Sequence, residues 1–188
     1  MDGKYSISEP HGIYFLSFAT VGWVDVFTRQ RYRDIVIDSL NFCVKNKGFI
    51  IYSWVIMSNH VHLVCKSKTG NLSGVIRDFK SFTAKQILKS IEQESESRRE
   101  WMLTIFNIAG RNNSRNKYYQ LWRHDNHAIE VFSNTVIDQK INYIHYNPVA
   151  EGIVSKQEYY VYSSATDYCG RKGLIEIELM ESSGVERI

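Results

Sequence analysis

The chain has 188 residues, of which 44% are hydrophobic and 23% charged, enough for one domain of ordinary size with a real core. Only 11 glycines and 2 prolines occur, which argues against long disordered linkers, and Cys43, Cys65 and Cys169 form no C-x-x-C pair, which argues against a thiolate zinc site and a disulfide framework and fits a reducing cytoplasm. The net charge is only +3 but is uneven: 12 basic and 5 acidic residues from Lys66 to Arg123, against 4 basic and 7 acidic from Glu151 onward, a basic middle that suits a polyanion such as nucleic acid.

Ile13 to Thr20 reads as an aromatic-rich strand. A helix follows over about 28 to 47, where Tyr32, Ile35, Val36, Leu40, Cys43 and Val44 recur at helical spacing. Thr28 is its expected N-cap and Gly48 its stop. Phe49 to Met57 is apolar on both faces, as a strand covered on both sides would be. Ser58-Asn59 turns the chain into a third strand, Val61 to Lys66. Leu72 to Lys89 is a second helix, with Leu72, Val75, Ile76, Phe79 and Ile87 on one side and Arg77, Lys80, Lys85 and Lys89 on the other. Glu92 to Lys117 is polar, part helical extension and part flexible loop. A fourth strand is expected within Tyr119 to Glu130. A third helix, capped near Ser133, is expected to run to about Tyr146 and to end at Pro148. The acidic end, Leu174 to Met180, reads as strand or helix.

This order gives an α+β class, a ferredoxin-like β-α-β-β-α-β sheet with an added C-terminal helix. One domain over 1–188 is expected, with a core over about 10–150 and a tail over 151–188. No apolar stretch approaches the ~20 residues of a membrane helix, and the N-terminus does not read as a signal peptide.

Two short motifs carry chemistry. In Asn59-His60-Val61-His62 the histidines lie two apart on a strand and project from one face, so two neutral imidazoles can grip a divalent metal. Tyr143 and Asn147 lie four apart on a helical path and face the same way. Ile137, Ile141 and Ile144 form the neighbouring apolar face that would dock on the sheet and bring Tyr143 to the histidines. A divalent metal neutralises a phosphodiester, and a tyrosine held in line can attack it and form a covalent phosphotyrosine. Asn147 offers an amide oxygen as a third ligand, or a cap for the helix end. Either motif alone reads as packing; together, and in this order, they point to phosphodiester chemistry. His145 points to another face of the helix, as a packing or DNA-contact residue.

Ser58-Asn-His-Val-His62 followed by Tyr143-Ile-His-Tyr-Asn-Pro-Val149 resembles the REP-associated tyrosine transposases, within the single-tyrosine HUH transposases. Gln120-Leu-Trp122, Ala128-Ile129 and Tyr159 to Ala165 also look like that family, so the resemblance spans roughly residues 10 to 168. It implies metal-dependent cleavage and strand transfer of single-stranded or hairpin DNA. His60 and His62 match the family histidines that bind Mg²⁺ or Mn²⁺, Tyr143 matches the tyrosine that gives a 5′-phosphotyrosine and a free 3′-OH, and Asn147 falls at the polar third ligand. Ser58 departs from the common proline, and Ala150-Glu151 from a basic and a small residue. The expected protein is a monomer or homodimer, cytoplasmic and nucleoid-associated. For DNA binding we expect Arg77, Lys80, Lys85 and Arg123 on phosphates, Trp122 stacked on a base, and Asn59 beside the histidines. The alternatives are another HUH-type nickase and a non-catalytic single-stranded nucleic-acid-binding module.

Overall fold

The computed structural model describes residues 7–113 and 118–180. Among these residues four strands form one antiparallel sheet: β1 (Tyr14–Ala19), β2 (Phe49–Ile56), β3 (His60–Ser67) and β4 (Ile129–Glu130), in the order β2-β3-β1-β4. With α1 (Gln30–Lys47) between β1 and β2, and α2 (Leu72–Gln93) and α3 (Arg99–Arg111) between β3 and β4, this is the expected α+β, ferredoxin-like order.

Alternation along the strands assigns their two faces. Tyr14, Leu16 and Phe18 of β1, with Val61, Leu63 and Cys65 of β3, pack into a core shared with α1, α2 and α3. Phe15 and Val64 point the other way, into a second core under α4 (Asn134–Ala150). Both faces are covered, so β2 is buried along its whole length. A bulge between Ile51 and Ser53 breaks its alternation. Tyr52 packs in the second core and Ser53 reaches His145 of α4, so both side chains serve the α4 face.

The first helix starts two residues later than Thr28. Thr28 closes a short 3-10 turn, its hydroxyl donating to the Asp25 carbonyl at 2.9 Å. Gly48 stops the helix as expected, at φ +61°, where its N–H reaches the Cys43 carbonyl. Over residues 92–117, α2 extends to Gln93 and α3 follows. The junction is pinned by the buried Glu96 carboxylate, which accepts from the Tyr32 hydroxyl at 3.1 Å and pairs with Arg98 at 3.3 Å and Arg31 at 3.4 Å. The expected loop in this stretch falls partly on 114–117, outside the described residues.

The fourth strand is two residues long, and an isolated bridge, Thr20 to Trp122, extends the pairing. Pro148 does not end α4, which continues to Ala150. Its fixed φ is helical, and only one backbone bond is lost so close to the end. The turn closes beyond it, with the N–H of Glu151 on the Asn147 carbonyl and that of Ile153 on the Pro148 carbonyl. Asn147 therefore stays inside the helix. The apolar stripe is as expected: Ile137, Ile141, Ile144 and also Pro148 are buried.

The segment after Gly152 returns along the free edge of β2. Ile56 N–H bonds the Tyr162 carbonyl, Ser164 N–H the Trp54 carbonyl, and Glu178 N–H the Ile51 carbonyl. A short helix, α5 (Ala165–Tyr168), lies between these contacts. Leu174 to Met180 is neither strand nor helix, although Ile175 is buried in the first core. None of the described helices is long and apolar enough to cross a membrane.

Candidate active site

β3 presents His60 and His62 on the face that α4 covers, and β1 lies beside it with Ala19 opposite His60 and Ser17 opposite His62. The imidazole centroids are 4.6 Å apart. Tyr143, on α4, brings its ring to 5.4 Å from His62 and 5.9 Å from Phe15. It is 50% exposed, open to solvent and to a large substrate. Three of the residues singled out in the sequence thus meet over β1 and β3.

Both imidazoles are held neutral. Burial pulls His62 down to about 3, assisted by the neighbouring His60 and by Lys140. Burial also lowers His60, with Glu151 opposing. Neutral imidazole is the form that ligates a metal. Asn59 fixes the His60 ring: its Oδ1 lies 2.7 Å from Nδ1, while its Nδ2 donates to the Trp23 carbonyl at 3.3 Å. Nδ1 then carries the proton and Nε2 keeps its lone pair. His62 Nδ1 is buried and has no hydrogen-bond partner among the described residues. An orphaned buried nitrogen beside a second oriented imidazole fits a divalent cation. Asn147 is half-buried on α4, one turn beyond Tyr143. The described residues hold no preformed cluster of three His, Cys, Asp or Glu, and Asn147 offers an amide oxygen on the helix that bears Tyr143.

The expected DNA contacts fare unequally. Trp122 is only 4% exposed; it stacks on Phe27 and donates its indole N–H to Thr83 Oγ1 at 2.9 Å. It is a core residue and offers no face to a base. Lys80 is half-buried, and its ammonium donates to the Arg123 carbonyl at 2.6 Å and Asn126 Oδ1 at 2.8 Å. Burial pulls it down to about 8, and its two bonds commit the ammonium to strutting a loop. Arg77 and Lys85 are exposed on α2, in the layer opposite the histidine face, and do not meet the site. Arg123 does approach it, with its guanidinium carbon 5.6 Å from the centroid of Trp23, whose ring is 6.3 Å from His60.

Lys140 and Glu151 were missed, and helical spacing could have found them: they lie three before and eight after Tyr143. Lys140 Nζ is 4.7 Å from the Phe15 ring centroid, so it brings a cation to the histidine face. His145 faces inward, its Nε2 within 2.8 Å of Ser164 Oγ and 3.1 Å of Ser53 Oγ. Of its two expected roles it takes packing.

Comparison with known proteins bears on this geometry. The family model described as IS200-like transposase matches residues 18–108, a segment that includes both histidines and stops short of Tyr143. No curated protein matches the sequence. Among solved structures, a REP-associated tyrosine transposase bound to a REP hairpin aligns over 99% of this chain and 98% of its own, with a TM-score of 0.63 and 16% identity. At that identity the likeness is one of fold. A candidate transposase from Deinococcus radiodurans R1 aligns over 81% of this chain and 97% of its own, with a TM-score of 0.43 and 14% identity. The resemblance is therefore shown in sequence over residues 18–108, which hold the histidine motif but not the Tyr143 motif, at the level of the IS200-like transposases, and in fold over nearly the whole chain, to a REP-associated tyrosine transposase.

Proposed function

We propose that this protein is a single-tyrosine transposase that cleaves and transfers single-stranded or hairpin DNA. The observation that carries the reading is the approach of Tyr143 to 5.4 Å from His62, itself paired with His60 on one sheet face. The match to IS200-like transposases and the fold shared with a hairpin-bound transposase support it. Such a substrate puts the protein at the nucleoid.

Tyr143 Oη attacks the scissile phosphorus as its phenolic proton passes to solvent. The P–O3′ bond breaks, and the electron pair goes to the 3′-oxygen, which takes a proton from water. A 5′-phosphotyrosine and a free 3′-OH result. Attack by the 3′-OH of another strand reforms a diester and releases Tyr143, so rejoining needs no ATP. His60 and His62 would hold Mg²⁺ or Mn²⁺, with Asn147 as an amide-oxygen donor. When bound, the cation neutralises charge on the scissile phosphate. Asn59 orients His60, and Lys140 adds positive charge where the phosphate must sit.

The test is covalent capture. The protein is incubated with Mn²⁺ and a pool of hairpin oligonucleotides flanked by randomised single strands, and SDS-resistant adducts are isolated and sequenced. The wild type should yield an adduct through Tyr143. Tyr143→Phe, which removes one oxygen and keeps the ring, should bind DNA and give none. Cleavage that survives in Tyr143→Phe would mean a metal-dependent hydrolase. Binding without cleavage in the wild type would mean a non-catalytic module.

A further inference from the structure

Beyond β1 the backbone enters the left-handed region twice in succession, at Gly22 (φ +63°) and Trp23 (φ +54°). Glycine adopts such a φ freely; for a bulky side chain it is strained, and strain of this kind gathers at ligand clamps. The surroundings impose it. The buried Thr20 hydroxyl donates to the Val24 carbonyl at 2.8 Å, Thr20 N–H bonds the Asn59 carbonyl, and Val21 N–H bonds the Leu121 carbonyl. Val24, Val26 and Phe27 anchor the following residues in the core. Yet the Trp23 side chain so positioned is 55% exposed, and burial of the indole does not account for the strain.

What the conformation achieves is placement. The Trp23 ring stands at 83° to His60 with centroids 6.3 Å apart, and Arg123 lies against it, its guanidinium held there by Asp125 at 3.2 and 3.3 Å. One amide, Asn59, bonds both the Trp23 carbonyl and His60 Nδ1. An aromatic face beside a cation is how proteins hold a single-stranded base.

Direction follows from the strands. Tyr143 packs on Phe15, near the start of β1, whereas Trp23 follows the end of that strand, beyond Ala19 opposite His60. Phe15 and Ala19 are separated by about 13 Å of strand at ~3.3 Å per residue, so Trp23 and Tyr143 flank the histidine pair from opposite ends. In-line attack puts the leaving 3′-oxygen on the side away from Tyr143. We propose that Trp23, backed by Arg123, stacks on the base of the nucleotide that keeps the 3′-OH, immediately 5′ of the scissile phosphate. This subsite rests on the transferase reading for its position and on Trp23 alone for its stacking.

The stacking is tested without cleavage. In the Tyr143→Phe background, affinity is measured for an oligothymidylate and for an abasic oligomer of the same length. The protein with Trp23 should prefer the base-bearing strand by on the order of tenfold. Trp23→Ala should lose that preference and Trp23→Tyr should keep most of it. Trp23→Gly relieves the strained φ, so it should melt no lower than its parent while losing the preference, which a structural role for the indole would not do. Equal preference with and without Trp23 would overturn the stacking, as would a lower melting point for Trp23→Gly with unchanged preference. Position is tested on the strand recovered by covalent capture, with one abasic site moved stepwise along it. Adduct formation should fall most when that site is immediately 5′ of the cut, and this extra loss should vanish in Trp23→Ala. A maximum on the 3′ side would overturn the placement. Base preference through Trp23 without any covalent adduct would sustain the stacking subsite and remove the transferase reading.

Discussion

His145 Nε2 lies 2.8 Å from Ser164 Oγ in a fully buried junction that ties the helix bearing Tyr143 to the C-terminal segment. Ser164 Oγ also accepts from the Trp54 N–H at 2.9 Å, and Ser53 Oγ lies within reach of both side chains. Three chain segments share this polar cluster inside an otherwise apolar layer. Ser164→Ala should cost about 1–3 kcal/mol, because it strands the buried Trp54 N–H and leaves His145 Nε2 with Ser53 Oγ alone. Denaturant unfolding checks this, and a loss below about 0.5 kcal/mol would show that the cluster rearranges at no cost.

The same junction sets a pH window. Burial holds His145 at about 4, below its ordinary value near 6.5, and His62 at about 3. Between those values and 6.5 the unfolded chain binds protons that the folded chain does not. Their contribution to stability is complete above about pH 6.5 and is lost as the pH falls toward 4 and 3. His145 alone accounts for on the order of 3 kcal/mol of this at most. His145→Gln should flatten the decline between pH 6.5 and 4, whatever it does at neutrality. An unchanged slope in chemical denaturation across that range would contradict the assignment.

Trp122 should behave as a core residue. It fills space against Phe27, Phe18 and Phe79 and satisfies its indole on Thr83. Trp122→Ala should cost about 3–5 kcal/mol. It should lower DNA binding only in proportion to the unfolded fraction, which affinity measured at a temperature where the variant is fully folded would reveal.

This contrast marks what was legible in the chain. The strand order could be read because period-2 and period-3.6 patterns are local, and β2 announced its double burial by being apolar throughout. His60, His62 and Tyr143 could be placed together because same-face spacing and a docking stripe are local too. Charge along α2 misled. Helical phase separates the apolar side from the polar one but does not say what a polar side faces: it puts Lys80 among the expected phosphate contacts, whereas Lys80 struts the loop at Arg123. Tryptophan is amphipathic: Trp122 and Trp23 look alike in sequence, and only the fold decides which is core and which projects. The local rule makes Pro148 a helix terminator, yet Pro148 is buried inside α4, which runs on to Ala150.

The orientation of His60 gives the sharpest test of the metal reading. Asn59 Oδ1 fixes Nδ1 as the protonated nitrogen and leaves Nε2 with the lone pair that a metal would take. Loss of such an outer partner typically weakens a metal site by about 10–100-fold. Asn59→Ala should therefore weaken Mn²⁺ binding by that order, whereas His60→Ala or His62→Ala should abolish it, all three remaining folded by circular dichroism. Mn²⁺ should bind more tightly than Mg²⁺, which prefers all-oxygen shells. Asn147→Ala separates the third ligand: if the amide oxygen completes the site, affinity falls as it does in Asn59→Ala. If instead Glu151→Ala weakens Mn²⁺ and Asn147→Ala does not, the carboxylate that faces His60 electrostatically is the donor. Calorimetric titration of Mn²⁺ into each variant decides this without any DNA. Undiminished binding in both histidine variants would end the case for a metal here.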